Sequence, residues 1–192
     1  MTRKRIRDIR HQELINAAIR AIHKRGFASV TMAEIAAEAD AAAASINYYF
    51  GSKEKLMEAT MRYLLGILRQ ATLTNLAKAS TPRTRLMAII DANFDDALFT
   101  NPQCSVWIQF WAHAPYSESL SRLHQINRAR VKSHFRAELK NLLPIQTCET
   151  ARRALQSYMD GVWLEATQTS QPLNPATTRK EARRVITLLL DN

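Results

Sequence analysis

The helical pattern of this chain is clearest in TMAEIAAEADAAAASINYYFGSKEKL, residues 31–56. Thr31 is followed three residues later by Glu34, the capping-box pattern in which each side chain satisfies the other residue's backbone N–H. The helix that starts there is predicted to end near Ala39. After a turn at Asp40, a second helix is predicted from about 42 to 50. The sequence therefore predicts two short helices around one tight turn.

The flanking sequence predicts longer helices whose ends are marked by recognisable cap residues. A first helix from about Ile9 to Lys24 meets Gly26, a residue that commonly stops helices. Ser52 is placed to cap a long helix over about 53–79, the expected link to the rest of the chain. Three further starts combine a cap with a proline at the first helical position, at 81–82, 101–102 and 174–175. The predicted helices in this larger part cover about 82–98, 102–113, 117–142, 148–170 and 175–190. We expect an all-α fold of about nine helices, with a domain at 1–52 and a larger one at 53–192.

Composition narrows the class of protein. The chain has 192 residues and a net charge of +10, a balance that suits a polyanionic partner such as nucleic acid or an anionic membrane surface. Cys104 and Cys148 lie far apart without a C-x-x-C spacing, so neither a disulfide framework nor a zinc site is indicated. No apolar run approaches the roughly 18 residues of a membrane span. We expect a cytoplasmic protein that is neither secreted nor embedded in a membrane.

An enzyme is not indicated. The sequence contains no G-x-G-x-x-G, no P-loop and no G-x-S-x-G motif. Its five histidines form no i, i+4 pair with one another, so metal chemistry is unsupported and no cofactor is expected. A helical RNA-binding or scaffold protein remains an open alternative at this point.

Residues 10–56, with the ending F-x-S-K-E-x-L at 50–56, resemble the DNA-binding domain of the TetR family of bacterial repressors. That family typically shows A-G-V-S-x-G-x-x-Y-x-x-F across the turn. This chain keeps Ala39 and Phe50 but has Asp40 at the glycine position and Ala42 in place of the capping serine. Asp tolerates a positive φ, so we expect the turn to survive. The lost cap is expected to cost about 1 kcal/mol unless Asp40 takes over capping.

The resemblance implies that the helix at 42–50 enters the major groove of an operator. Alanines permit close approach to DNA, Asn47 can pair with adenine, and Tyr48 and Lys53 suit phosphates. Tyr49 and Phe50 are expected to pack inward. The basic amino terminus is expected to follow phosphates or the minor groove, although such a run is often only a solvated tail. The candidate DNA-binding residues are Arg3, Lys4, Arg5, Thr31, Ala42, Ala43, Ala44, Ser45, Asn47, Tyr48 and Lys53.

The larger part resembles the choline-responsive branch of the same family, which represses genes of glycine betaine synthesis. The matching segments are EATMR at 58–62, NFDD at 93–96, WIQFW at 107–111 and MDGVWLEATQTSQPLN at 159–174. The resemblance implies a homodimeric repressor that choline releases from its operator. A repressor that senses another cationic or apolar small molecule remains the alternative.

Aromatic residues are the candidate ligand site. Trp107, Phe110 and Trp111 share one helical face by their i, i+3 and i+4 spacing, and Trp163 lies on another predicted helix. Such a stripe is usually ordinary core packing. The resemblance favours an aromatic cage, which holds a quaternary ammonium through the ring quadrupoles. Asp160 or Asn93 is the candidate for meeting the cation or the hydroxyl of choline.

The last predicted helix is apolar on more than one face. Ala182, Val185, Ile186 and Leu189 lie on one side, with Leu188 and Leu190 beyond it. One monomer can hardly cover both sides. We therefore predict a homodimer in which the last two helices of each copy pair as a four-helix bundle.

Overall fold

A computed structural model describes the backbone of residues 3–191 and the side chains of residues 7–191. Within that range the chain forms nine α-helices and one short 3-10 turn, with no β-strand. The all-α prediction is confirmed. The helices are α1 (Arg3–Arg25), α2 (Met32–Glu38), α3 (Ala43–Phe50), α4 (Lys53–Leu76), α5 (Pro82–Asn93), α6 (Asn101–His113), α7 (Glu118–Leu139), α8 (Ile145–Glu165) and α9 (Pro175–Leu190), with the 3-10 turn at Ala114–Tyr116.

The predicted helix ends around the tight turn are confirmed. The Thr31 side chain accepts from the Glu34 N–H while the Glu34 carboxylate accepts from the Thr31 N–H at 2.8 Å, which completes the capping box. The Ser52 side chain caps α4 by accepting from the Lys55 N–H. Asp40 adopts φ +48°, the positive value that the family's glycine would supply. The residue at the cap of α3 is Ala42, and no side chain caps that helix.

Other helix ends differ from the predictions. Helix α1 begins at Arg3 and not near Ile9, so the basic segment is part of the helix, consistent with the good helix propensity of Arg and Lys. Helix α5 ends at Asn93 and not near residue 98. The backbone then forms a turn in which the N–H groups of Leu98 and Phe99 donate to the Asp95 carbonyl. Helix α8 begins at Ile145, after Pro144, and ends at Glu165. The cap of α6 is Thr100 rather than Asn101, whose amide donates instead to the carbonyl of Gln171 at 3.1 Å.

Helix α4 links the two parts of the molecule. It packs against α1 and α3 at one end and against α5, α6 and α7 further along. Its buried residues, including Met57 and Leu64, belong to one hydrophobic core that continues through both parts. Displacing α4 therefore changes the packing of the short helices and of the larger body together.

Helix α6 makes a second link to the amino-terminal helices. The Phe27 N–H donates to the Gln109 side-chain oxygen, and the Phe27 ring packs edge-on against His113 with centroids 4.7 Å apart. Nδ1 of His23 lies 2.7 Å from the Ser105 hydroxyl. One face of α6 is thus held against α1 and the turn that follows it.

Helix α9 covers α5 through arginine contacts. Arg183 pairs with Asp91, and Arg179 donates to the carbonyl of Phe94 at 2.6 Å. Ala182 and Ile186 are fully buried beneath these contacts. Among the described helices, none has both the length and the apolar character required to cross a bilayer.

Candidate functional site: an exposed recognition helix and an aromatic and cationic interior

Helix α3 presents a narrow surface of small and polar side chains. Asn47 and Tyr48 are exposed, with Tyr48 at 76% of its full area, and Ser45 is half-buried. Ala42, Ala43 and Ala44 are exposed at the start of the helix. Small side chains here leave the backbone of α3 free to approach a groove closely.

The inward face of α3 anchors the helix. Ile46 and Phe50 are buried, and the Phe50 ring lies 4.8 Å from the His11 ring of α1. Tyr49 is half-buried, with its ring edge-on to Tyr48 at 5.4 Å and near His11 at 6.3 Å. The expectation that Phe50 packs inward agrees with this geometry, while Tyr49 is only partly enclosed.

Lys53 makes contacts that the sequence did not indicate. Its ammonium donates to the carbonyls of Ala28 and Val30 at 3.0 and 2.9 Å, and it lies 4.9 Å from the centre of the Phe27 ring. Lys53 therefore ties the start of α4 to the turn between α1 and α2. An ammonium has three donors, so one N–H is left for a DNA phosphate.

Thr31 is exposed at the start of α2, where its hydroxyl also donates to Glu34 at 3.0 Å. These hydrogen bonds from the backbone and side chain of Thr31 hold the pKa of Glu34 below its usual value, and Arg25 adds to the effect. Arg20 and Lys24 both pair with Glu38, which fixes α1 to α2. The predicted contacts of Arg3, Lys4 and Arg5 lie outside the described side chains.

The predicted aromatic residues form a packed cluster. The Trp107 and Trp163 rings lie 4.9 Å apart, and Phe99 meets Trp163 edge-on at 5.5 Å. Trp107, Phe110 and Trp163 are buried, while Trp111 is half-buried. The structure thus brings Trp107 and Trp163 from α6 and α8 into contact. A trimethylammonium group does not fit between two rings at this separation.

The polar candidates of that site have partners of their own. The Asp160 carboxylate pairs with Arg128 and accepts from the Gln156 amide at 3.1 Å. The Asn93 amide donates to the Ile89 carbonyl at 2.9 Å within its own helix. Asn93 lies on α5, in the wall of a separate cavity.

Nε1 of Trp111, Nδ1 of His124 and the hydroxyl of Thr100, which follows Phe99, are buried and have no hydrogen-bond partner among the described residues. The His124 ring lies 5.8 Å from the Phe110 ring. Burial lowers the pKa of His124, the charge of Arg128 lowers it further, and Asp160 opposes both. The imidazole is therefore neutral near pH 7, and its ring nitrogens can meet a ligand hydroxyl.

A cavity of about 180 Å³ lies between α4, α5 and α7 and was not predicted from the sequence. The signal available was Asn127, a polar residue on the apolar stripe of α7 that contains Leu123 and Val131. Burial lowers the pKa of His134, and the charge of Arg130 lowers it further. The lining residues are Leu68, Arg69, Thr72, Leu73, Ile89, Asn93, Asn127, Arg130, Val131 and His134.

Both cysteines are free and buried. Burial raises the pKa of the Cys104 thiol to about 12, so it is not a reactive thiolate. Among the side chains of residues 7–191, no three from His, Cys, Asp or Glu are grouped so as to hold a metal ion.

The fold and the exposed face of α3 define a helix-turn-helix DNA-binding regulator with a larger helical regulatory body. Residues 14–60 match the family model of bacterial regulatory proteins of the TetR family, and residues 82–191 match that of the BetI-type transcriptional repressor C-terminal domain. The chain belongs to the TetR family and carries a BetI-type C-terminal domain. It is a transcriptional regulator and not an enzyme.

Relatives over the full length agree with this assignment. The HTH-type transcriptional regulator BetI of Burkholderia mallei (strain NCTC 10229) is 36% identical over 186 residues, covering 96% of this chain and 95% of that protein. BetI of Burkholderia cenocepacia (strain HI2424) is 35% identical over 186 residues, covering 96% of each chain.

Solved structures share the fold at low sequence identity. A TetR transcription regulator from Haloarcula marismortui ATCC 43049 superposes with a TM-score of 0.77 at 22% identity, over 96% of this chain and 97% of that one. A transcriptional regulator from Saccharomonospora viridis, solved in complex with choline, gives a TM-score of 0.78 at 18% identity, over 92% and 95% of the two chains. These two similarities establish the fold alone.

Proposed function

We propose that this protein is a cytoplasmic, homodimeric repressor of choline-to-glycine-betaine genes that choline releases from a pseudo-palindromic operator. The observation that carries the proposal is the relation to BetI over 96% of the chain, including the regulatory body. The choline held by the Saccharomonospora viridis regulator, which has the same fold, supports this class of ligand.

In the proposed complex, α3 of each subunit lies in the major groove. Asn47 is exposed and can read adenine through two hydrogen bonds, and Tyr48 reaches a phosphate. Helical dimers of this kind bind half-sites about one turn of DNA apart, so the operator is expected to be a near-palindrome.

Choline is proposed to bind beside the aromatic cluster of α6 and α8. Because Trp107 and Trp163 touch, the ammonium must sit against the outer faces of the rings or separate them. The Asp160 charge is already compensated by Arg128, so the rings carry most of the attraction. The unpartnered Trp111 and His124 nitrogens are available to the choline hydroxyl.

Release requires choline to prefer the arrangement of the protein that binds DNA poorly. Helix α4 can couple the proposed choline site to the DNA-binding helices, and α6 provides a second connection between them. The Trp107 side of α6 faces the aromatic cluster, while Gln109 on the same helix holds Phe27 of the DNA-binding part. A ligand that shifts α6 therefore changes the packing of α6 against α1 and against the turn that follows α1.

The test is choline binding by calorimetry together with operator release by fluorescence anisotropy, using paired variants at one ring. Trp163→Phe keeps an aromatic face, whereas Trp163→Leu keeps apolar volume without the ring quadrupole. We expect choline affinity to be largely retained in the first and to fall roughly two- to thirtyfold in the second, since each such contact contributes about 0.5–2 kcal/mol.

Glycine betaine and tetramethylammonium serve as comparison ligands in the same titrations. If choline binds Trp163→Phe and Trp163→Leu with the same affinity and heat, the aromatic cluster is not the choline site. Operator binding that is unaffected by saturating choline would remove the choline-responsive function while leaving the regulator assignment intact.

A further inference from the structure

Two arginines at the cavity between α4, α5 and α7 differ from nearby arginines in having no charged partner among the described residues. Arg62 on α4 pairs with Glu58, and Arg128 on α7 pairs with Asp160. Two turns further along α4, Arg69 lines the cavity, as does Arg130, two residues beyond Arg128 on α7. Within residues 7–191 neither Arg69 nor Arg130 has an ion pair or a hydrogen bond. Two like charges facing one recess without a counter-charge favour an anion there.

The recess behind these guanidinium groups is apolar. Leu68 on α4, Ile89 on α5 and Val131 on α7 form its walls, and all three are buried. The volume of about 180 Å³ holds a small organic molecule. Its composition, an apolar recess with a cationic mouth, matches a ligand that has an apolar body and one anionic end.

A buried amide adds a polar group inside the cavity. The Asn127 side chain is 7% exposed, and its buried oxygen has no hydrogen-bond partner among the described residues. A half-turn of the amide places its N–H₂ there instead, so Asn127 can either accept or donate a hydrogen bond. The neighbouring Asn93 and Thr72 already bond to carbonyls of their own helices. Asn127 is therefore the group whose hydrogen bonding a ligand would complete.

We infer that this cavity is a second ligand site, distinct from the aromatic cluster, which binds a small organic carboxylate with an apolar body. The carboxylate meets Arg69 and Arg130, with Asn127 donating beside them, and the apolar body lies between α4, α5 and α7. Planar guanidinium groups suit this role because they bind carboxylates through paired hydrogen bonds. Choline does not fit the same site, because its fixed positive charge would face both arginines.

The experiment is calorimetric titration of the full-length protein with octanoate, and with octanamide as a neutral ligand of the same shape. We expect saturable binding of octanoate and at least tenfold weaker binding of octanamide, because a charge-assisted hydrogen bond contributes about 1.5–3 kcal/mol. Arg69→Gln and Arg130→Gln should each weaken octanoate about tenfold or more. Arg69 is exposed, so Arg69→Gln is expected to fold even if Arg130→Gln does not.

Arg122→Gln is the matched control. Arg122 lies on α7, is exposed and has no ion pair within residues 7–191, but it does not line this cavity. We expect its octanoate affinity to equal that of the wild type, and choline binding to be unchanged in all three variants. Equal binding of octanoate and octanamide, equal loss in Arg122→Gln, or no saturable octanoate heat would each overturn the inference without affecting the choline proposal.

Discussion

At the scale of single residues, Lys53 shows how a surface charge acquires a structural role. Its position after Ser52 at the start of α4 suggests a phosphate contact, yet its ammonium is bound by two carbonyls of the preceding turn. The third N–H is left for the phosphate contact predicted from the sequence. The two carbonyl bonds therefore stabilise the turn between α1 and α2 and are compatible with the predicted phosphate contact.

Replacing Lys53 by Ala should lower the free energy of unfolding by about 1–2 kcal/mol, because two charge-assisted hydrogen bonds and the contact with Phe27 are lost. Urea unfolding followed by circular dichroism measures the change. Lys55→Ala is the control, since Lys55 is exposed and its backbone N–H, which Ser52 caps, is retained. Equal midpoints for the two variants would show that the Lys53 contacts do not stabilise the fold.

At the scale of the helical elements, α3 is held by packing and not by its own cap. Ile46 and Phe50 bury one face, while Ala42 leaves the first N–H groups of the helix without a side-chain acceptor. Asp40 supplies the backbone turn but no cap, since α3 has no side-chain cap bond. The helix is therefore expected to be less stable than its capped neighbours α2 and α4.

Ala42→Ser should restore the cap that the family pattern has at this position. A serine cap contributes about 1 kcal/mol, so amide hydrogen exchange within α3 should slow about fivefold. In Ala43→Ser the hydroxyl sits one position inside the helix, and no slowing is expected. Faster exchange in Ala42→Ser than in the wild type would mean that the turn at Asp40 does not allow the serine to cap.

At the scale of the whole molecule, α8 and α9 carry the surface proposed for the dimer. Ser157, Gly161 and Leu164 of α8 are exposed on one face, and Leu164 exposes 47% of its area. Leu188 of α9 is exposed at 64%. Small residues beside exposed leucines allow two helix pairs to approach closely in a four-helix bundle.

Gly161→Arg should convert the dimer to a monomer, because it places a long charged side chain in the proposed interface. The monomer itself accepts the change, since a Cβ at Gly161 meets no atom within 4 Å. Gly66→Arg on α4 is the control, because the space around Gly66 is equally open. Light scattering at micromolar concentration distinguishes the two states. A dimeric Gly161→Arg variant would place the interface elsewhere.

Several local features of this protein could be predicted from its amino-acid sequence. The capping box at Thr31 and the positive φ at Asp40 depend on residues a few positions apart, so short-range rules predict them. The helix-turn-helix class came from the resemblance of residues 10–56 to the TetR family. Helix ends without a distinctive cap, such as those of α5 and α8, were predicted less well, because frayed ends depend on packing.

The contacts between distant side chains could not be predicted from the sequence and are seen in the folded chain. Three features each involve residues from separate helices: the ring contact of Trp107 with Trp163, the ion pair of Arg128 with Asp160, and the cavity lined by Arg69 and Arg130. Helical periodicity shows which face of a helix is apolar, but not which helix covers it or where the packing leaves a gap. Those outcomes depend on how several helices pack at once, since a side chain on one helix is placed by the helices around it.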